Sequence, residues 1–411
     1  MNHNDSRLTF PGRFYWGTAT SAHQVEGNTQ NDWSEWERSD ARLGELRSRG
    51  ANPADFISGR ATDHYNRFRE DFDIARQLGH NAHRFSIEWS RIEPEEGKFD
   101  EREIEHYREV IRALRERGIE PFVTLWHWTL PAWVHNQGGW ENKKTAADFV
   151  RYAGRVVQEY RGLVHFWITL NEPSTYTSSA YLYGRFPPQA KSLWRARRVL
   201  RHLTRAHERL YRTIHELAPG AEVGVANYIV YHQPYGGGWR NRVLSVLVDY
   251  LRNWKLFNRL SKTQDFIGVN YYHRDVVAFK LGGKWGCVDI RNPNQWTGDN
   301  GWEIFPEGLY HVITRVAKYG KPIYITENGI ADGKDAHRAR FIQEHLAWMG
   351  KALEDGADVR GYLHWSLLDN FEWDGGFAPR FGLIEVNYET LERRIRESAY
   401  HYRNLIQGKR T

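Results

Sequence analysis

A single cysteine, Cys287, among 411 residues excludes an intrachain disulfide and a thiolate metal cluster, and suits a reducing compartment. No apolar run reaches the ~18 residues that a membrane-spanning helix needs. The first residues, Met1 to Arg7, are polar and lack the apolar stretch of a secretory signal, so a cytoplasmic location is expected. No Pro/Ser-rich linker, low-complexity tract or short repeat divides the chain. No strand-like run leads into a glycine-rich dinucleotide or phosphate loop, and no paired-histidine or Asp/His cluster offers a metal site. Charge of either sign is also modest: Lys plus Arg exceed Asp plus Glu by 57 − 51 = 6. The densest basic stretch, Lys191 to Arg212, interleaves Arg and His with Leu, Trp and Tyr at helical spacing, which describes a solvated helix face rather than a nucleic-acid patch. Neither a membrane nor a nucleic-acid partner is expected. The oligomeric state is not readable at this level.

What the chain has in excess is aromatic: 18 Trp, 22 Tyr and 19 Phe. Most such rings fill cores and interfaces, but flat amphipathic rings also suit the apolar faces of sugars. Apolar, strand-like runs recur at 14–20, 82–87, 121–126, 164–170, 223–228, 266–271, 322–326 and 362–367. Helix-period segments lie between them at 63–78, 103–117, 146–160, 196–217, 307–319 and 338–354. In the first of these, Tyr65, Phe68, Phe72, Ala75 and Leu78 share a stripe. Gly118 stands where the second should end. Eight strands separated by helices predict a single α/β domain over 1–411, a (β/α)8 TIM barrel with its active site at the C-terminal ends of the strands. An open doubly wound sheet is the alternative. Polar and aromatic residues stand at seven of the eight predicted strand ends: Gln24, Arg84, His127, Asn171 with Glu172, Tyr272, Glu327 and Trp365.

Two of those strands finish on a glutamate, in Thr169-Leu170-Asn171-Glu172-Pro173 and Tyr324-Ile325-Thr326-Glu327-Asn328-Gly329. Hydrolysis of a glycosidic bond needs two carboxyl groups facing one sugar, one to protonate the leaving oxygen and one to meet the charge that develops on the sugar carbon.

The segments FYWGTATSAHQVEG, RFSIEWSRIEP, TLWHWTLPAWV, TLNEP, GVNYY, YITENG, HWSLLDNFEW and RFGLIEVNY follow one another in order. In them the chain resembles glycoside hydrolase family 1, the β-glucosidase/β-galactosidase group, along essentially its whole length. The resemblance implies a retaining enzyme that requires no cofactor or metal. Glu172 would be the general acid/base and Glu327 the nucleophile, with carboxyl groups roughly 5–5.5 Å apart. Arg84 would pair with the nucleophile and hold it ionised, and Tyr272 would hydrogen-bond the same group. Gln24, His127 and Glu372 would hold the sugar hydroxyls far from the reacting carbon, and Asn171 the hydroxyl beside it. Trp365 would form the stacking floor, Trp373 would touch the same end of the sugar as Glu372, and Trp302 and Trp126 would line the pocket.

Where relatives that act on 6-phosphorylated glycosides carry a serine and a lysine, this chain has Asp374 to Arg380. An acidic Asp374 should repel a phosphate, so unphosphorylated β-glucosides, β-galactosides and β-fucosides are the expected substrates, with some transfer to acceptors other than water. A 6-phospho-β-glycosidase and a non-catalytic sugar-binding barrel are the alternatives, and an unrelated metal-dependent barrel hydrolase ranks last. Measured against the family pattern, the crossover at 229–264 is short. It either forms a compact loop or leaves Tyr228, Tyr231 and Trp254 open to an adventitious planar or apolar ligand.

Overall fold

The computed structural model describes residues 10–284, 287–291 and 296–409, so the polar start at Met1–Arg7 lies outside it. Eight parallel strands close into a barrel: β1 (Tyr15–Ala19), β2 (Ala82–Ser86), β3 (Glu120–Thr124), β4 (Phe166–Asn171), β5 (Glu222–Tyr228), β6 (Ile267–Asn270), β7 (Ile323–Asn328) and β8 (Val359–Trp365). Neighbours pair in chain order, and β1 pairs with both β2 and β8, Gly17 lying opposite Ala82 and Gly361 opposite Tyr15. All eight coincide with the runs read from the sequence. A parallel pair needs a crossover, and helices supply it: α1 (His64–Gln77), α2 (Glu101–Glu116), α3 (Thr145–Tyr160), α4 (Leu193–Leu217), α5 (Trp239–Asp249), α6 (Glu307–Val316), α7 (Arg338–Glu354) and α8 (Glu397–Ile406).

The lower half of the barrel is plugged by rings. Phe122 and Phe166 stack at 4.2 Å, and Phe266 and Tyr324 close around them edge-on. Room for this plug comes from Gly224, where a Cβ would sit 2.5 Å from the Phe266 ring. The outer core lies between strands and helices. Phe68, Phe72 and Ala75 of α1 and Ile104, Tyr107, Ile111 and Leu114 of α2 are all buried, whereas Tyr65 is half-buried. Helix α2 ends at Arg117, and Gly118 follows at φ +70°, the left-handed stop for which glycine is best suited.

Three elements were not anticipated. Tyr231–Pro234, Arg274–Lys284 and Val288–Arg291 form a small three-stranded sheet outside the barrel. A short hairpin pairs Ile384–Val386 with Arg393–Ile395. The helix after β5 is broken by a wide π-type turn at Tyr250–Trp254 before resuming at Lys255–Leu260.

Candidate active site

Because the strands are parallel, their C-terminal ends share one mouth, and side chains distant in sequence converge there. Arg84, fully buried on β2, is the centre of the arrangement. Its Nη1 donates to Glu327 Oε1 at 2.5 Å, its Nη2 to Asn171 Oδ1 at 2.7 Å and its Nε to Thr124 Oγ1 at 3.0 Å. One guanidinium thus ties the ends of β4 and β7 to β2. Glu88, the nearby strand-end acid, does not compete for it; Glu88 accepts instead from Ser90 and Thr129. The other oxygen of Glu327 accepts from the Tyr272 hydroxyl at 2.7 Å.

Glu172 has different company. It sits in the left-handed region at φ +43°, a strained conformation of the kind that collects at functional sites. Its Oε1 accepts from Asn270 Nδ2 at 2.7 Å. Asn270 also reaches Asn171 Oδ1 at 3.2 Å and accepts from Thr326 Oγ1 at 2.6 Å, so it stands between the two acidic strands. This residue, the third of GVNYY, was missed in the sequence.

These partners separate the two carboxyl groups. Burial and the neighbouring charge of Glu327 push Glu172 up to about 8. Burial raises Glu327 too, but Arg84 and Tyr272 oppose the rise. The expected partners, Arg84 and Tyr272, both lower Glu327, but loss of water outweighs them and Glu327 lies above its ordinary value. The guanidinium decides which of the pair keeps the proton. It contacts Glu327 directly, so the shared proton belongs to Glu172.

The remaining polar residues form one wall. Asn171 Oδ1 is occupied by two donors, which turns its amide NH₂ toward His127 Nε2 at 3.0 Å. Burial and the charge of Arg84 hold His127 well below its usual range, hence neutral. With Nε2 accepting, the proton sits on Nδ1, a buried donor with no protein partner. Such an atom is costly unless a ligand satisfies it. Gln24 is anchored by Asn370 Oδ1 at 2.9 Å and the Phe371 carbonyl at 2.8 Å. Glu372, pushed up to about 8 by burial, accepts from Trp365 Nε1 at 3.1 Å. The His127 ring lies nearly parallel to Trp365 and Trp373, each with centroids 6.0 Å away. Trp302 stands at the rim, edge-on to Tyr272 at 5.4 Å and 39% exposed.

One expected residue does not join them. The Trp126 ring packs edge-on against Trp140 and Tyr176, and its Nε1 donates to the Thr129 carbonyl; it belongs to the core. Trp128 takes the place instead. At φ +79° the chain turns there, setting that ring 4.8 Å from Trp373 and its Nε1 on the Asn171 carbonyl at 3.1 Å. The fifth strand, blank in the sequence reading, contributes Tyr228, whose hydroxyl meets His273 Nδ1 at 3.1 Å and whose ring faces Tyr272.

Two surroundings differ from expectation in detail. Asp374 is not a bare charge, because Arg185 pairs with it at 2.8 Å. In the crossover, Trp254 is buried beneath the Arg315 guanidinium, and Tyr231 stacks on His311. Among the described residues no cluster of His, Cys, Asp and Glu is arranged to hold a metal ion, and no helix is long and apolar enough to cross a membrane.

Known proteins resemble this chain in sequence and in fold. The sequence profile of glycosyl hydrolase family 1 matches residues 6–257 and 253–411. Beta-glucosidase A of Thermotoga maritima is 34% identical, covering 97% of this chain and 98% of that protein. A beta-galactosidase of Pyrococcus woesei is 32% identical over 95% of each. Among solved structures, the β-glycosidase from Pyrococcus horikoshii superposes with a TM-score of 0.89 at 38% identity, covering 98% of this chain and 96% of that one. Beta-glucosidase from Thermotoga maritima in complex with glucoimidazole gives 0.90 at 30% identity over 97% and 98%. The chain belongs to glycosyl hydrolase family 1, a retaining family, and is a hydrolase of β-glycosidic bonds.

Proposed function

We propose that Glu327 is the nucleophile and Glu172 the general acid/base of a retaining β-glycosidase acting on small unphosphorylated β-glucosides and β-galactosides. The observation that carries this reading is the asymmetry of the pair: Arg84 and Tyr272 both bond Glu327, whereas Glu172 has Asn270 and a pKa pushed up to about 8. In the first step Glu172 gives its proton to the leaving oxygen while Glu327 attacks the anomeric carbon, forming an ester to the sugar. Ester formation removes the charge of Glu327. The field that raised Glu172 then falls, and the carboxylate left there can take a proton from the incoming water. Water attacks the same carbon, the ester breaks, and Glu172 ends protonated.

Binding follows from the free valences of the wall. The Nδ1–H of His127, the lone pair that Gln24 Oε1 keeps beyond the bond it accepts from Ser21 Oγ, and the Glu372 carboxyl face hydroxyls remote from the reacting carbon. Asn171 retains one amide hydrogen for the hydroxyl beside it, where a bond strengthens as the transition state forms. Trp365 supplies the floor. Trp128 and Trp373 close the remote end, and Trp302 stands on the leaving-group side. For substrate class, the printed names of the relatives support glucosides and galactosides. The chain has no lysine between Asp374 and Arg380 to bind a 6-phosphate. Arg185 shields part of the charge on Asp374, so rejection of phosphate is weaker than a bare aspartate would impose. The lone, half-buried Cys287 supports a cytoplasmic setting.

The test is a panel of nitrophenyl β-glycosides, including a 6-phosphate, with product anomers followed by NMR. Glu327→Ala and Glu172→Ala should each lose several orders of magnitude in kcat. Azide should rescue the first as the α-glycosyl azide and the second as the β-azide. Near-normal activity of either variant, or an inverted first product, refutes the assignment.

A further inference from the structure

Helix α5 departs from the pattern of the other barrel helices. Leu244, Ser245 and Val248 face inward and are buried, but the outer face is apolar as well. Trp239 and Val246 are each 70% exposed, and Val243, Leu247, Tyr250 and Leu251 are exposed beside them. Contiguous apolar surface on this scale marks an interaction site rather than scattered surface hydrophobes. Four of these residues, Trp239, Val243, Val246 and Tyr250, are spaced four, three and four apart, the alternation of a coiled-coil seam.

We propose that this face is a two-fold interface at which α5 pairs antiparallel with α5 of a second copy of the chain. The pattern of side-chain sizes carries the choice of occupant. In an antiparallel pair the seam positions meet as Trp239 with Tyr250 and Val243 with Val246, and the symmetry repeats both contacts. Large rings lie at the two ends and small β-branched side chains at the centre, so the helices approach closely where the axis crosses them. A lipid surface or an unrelated partner requires no such symmetry about the helix midpoint. A two-fold contact, in which one patch meets itself, does.

Charge allows the antiparallel arrangement more readily than the parallel one. Between residues 235 and 264 the sequence holds one acid, Asp249, and it turns inward to His232, Trp254 and Arg315. The cations Arg240 and Arg242 lie in the first turn. A parallel pair would set them against their counterparts, whereas an antiparallel pair places them near the partner's Arg252, whose charge is already paired with Asp275. Arg240 is also folded back over its own Trp239 and Phe279, at 5.5 and 5.8 Å, which keeps that cation at the end of the seam and away from its centre. Beside the helix, Leu281 projects from the outer sheet and is 81% exposed, extending the contact beyond one helix pair toward the area a stable dimer needs.

Light scattering after size exclusion, over a hundredfold range of concentration, tests this on the full chain. The expected result is a dimer. Val246→Arg clusters two cations near the axis and should weaken dimerisation at least tenfold, with circular dichroism, melting of the monomer and kcat/KM on an aryl β-glucoside unchanged. Val246→Glu should do the same. Mixing the two variants should restore a dimer containing one of each. A wild type that is monomeric throughout overturns the proposal, as does a dimer indifferent to both charges. A monomer that sediments with phosphatidylglycerol vesicles through Trp239 also overturns it and assigns the face to lipid. If either variant is misfolded by circular dichroism, Val246→Ser provides the same test without added charge.

Discussion

Removing the Arg84 guanidinium should shift the acid limb of the pH–rate profile, and the shift can be sized from the geometry. Arg84 Nη1 lies 2.5 Å from Glu327 Oε1, so the charge centres are about 4 Å apart. At an effective dielectric of about 20 this attraction is worth about 4 kcal/mol, or about a thousandfold in the proton affinity of Glu327. Burial already raises Glu327, and without its counter-charge the group rises further, closing the gap to Glu172 that Arg84 maintains. In Arg84→Met the profile of kcat/KM, which reports the free enzyme, should lose its acid side and collapse to a narrow peak. The loss from ionisation is largest at acid pH, where the missing attraction bounds it at about a thousandfold, and it shrinks as pH rises. The variant also strands Asn171 Oδ1 and Thr124 Oγ1, but that defect lowers activity evenly across pH and leaves the limbs in place. Arg84→Lys separates the two effects. It restores the charge without the fork, so the acid limb should return most of the way while kcat stays low. The assay is kcat/KM for a nitrophenyl β-glucoside between pH 4.5 and 9, with folding checked by circular dichroism. An acid limb in Arg84→Met within a few tenths of the wild-type value refutes the electrostatic account of the pair.

Three other outcomes follow from particular contacts. Asn270 stabilises the ionised form of Glu172, so Asn270→Ala should move the basic limb to higher pH and cost about 10- to 100-fold in kcat; an unmoved limb would leave Asn270 a purely structural role. Glu372 has a folded-state value of about 8 against an ordinary 4.5, so the folded state binds its proton more tightly than the unfolded chain does. Its contribution to stability is whole below pH 4.5 and is lost as pH rises to about 8, reaching about 2 kcal/mol after allowance for water at this partly open position. Glu372→Gln should remove that slope, giving urea midpoints between pH 5 and 9 that fall less than those of wild type. Trp126→Phe deletes a buried hydrogen bond to Thr129 in the core and should cost about 1 kcal/mol in urea unfolding while leaving KM unchanged; a raised KM would return Trp126 to the pocket.

The barrel was legible because each strand is a short β-branched or aromatic run followed by a helical period, and parallel pairing leaves few ways to assemble that alternation. The acidic pair was legible because each glutamate ends such a run. What escaped was whatever depends on convergence or on a break in alternation. Asn270 reads as one polar residue in an apolar strand. Only when the barrel closes, bringing the ends of β4 and β7 to the end of β6, does it acquire Glu172, Asn171 and Thr326 as partners. The resemblance placed Trp126 in the pocket, but the backbone turns at Trp128, with φ +79°, and the Trp128 ring is the one that reaches Trp373.

The outer sheet escaped for a related reason. In Arg274–Lys284, Val276, Val277 and Ala278 are buried in succession while Phe279 and Leu281 are exposed, a pattern no single buried face produces. The surface of α5 follows the same logic. A helix with apolar residues on both sides reads from sequence as deeply buried, so its exposed outer face is not legible there. The barrel covers only one side. The other side, with its seam spacing and its lone inward acid, carries hydrophobicity that this chain by itself does not use, and a second copy brings the matching surface.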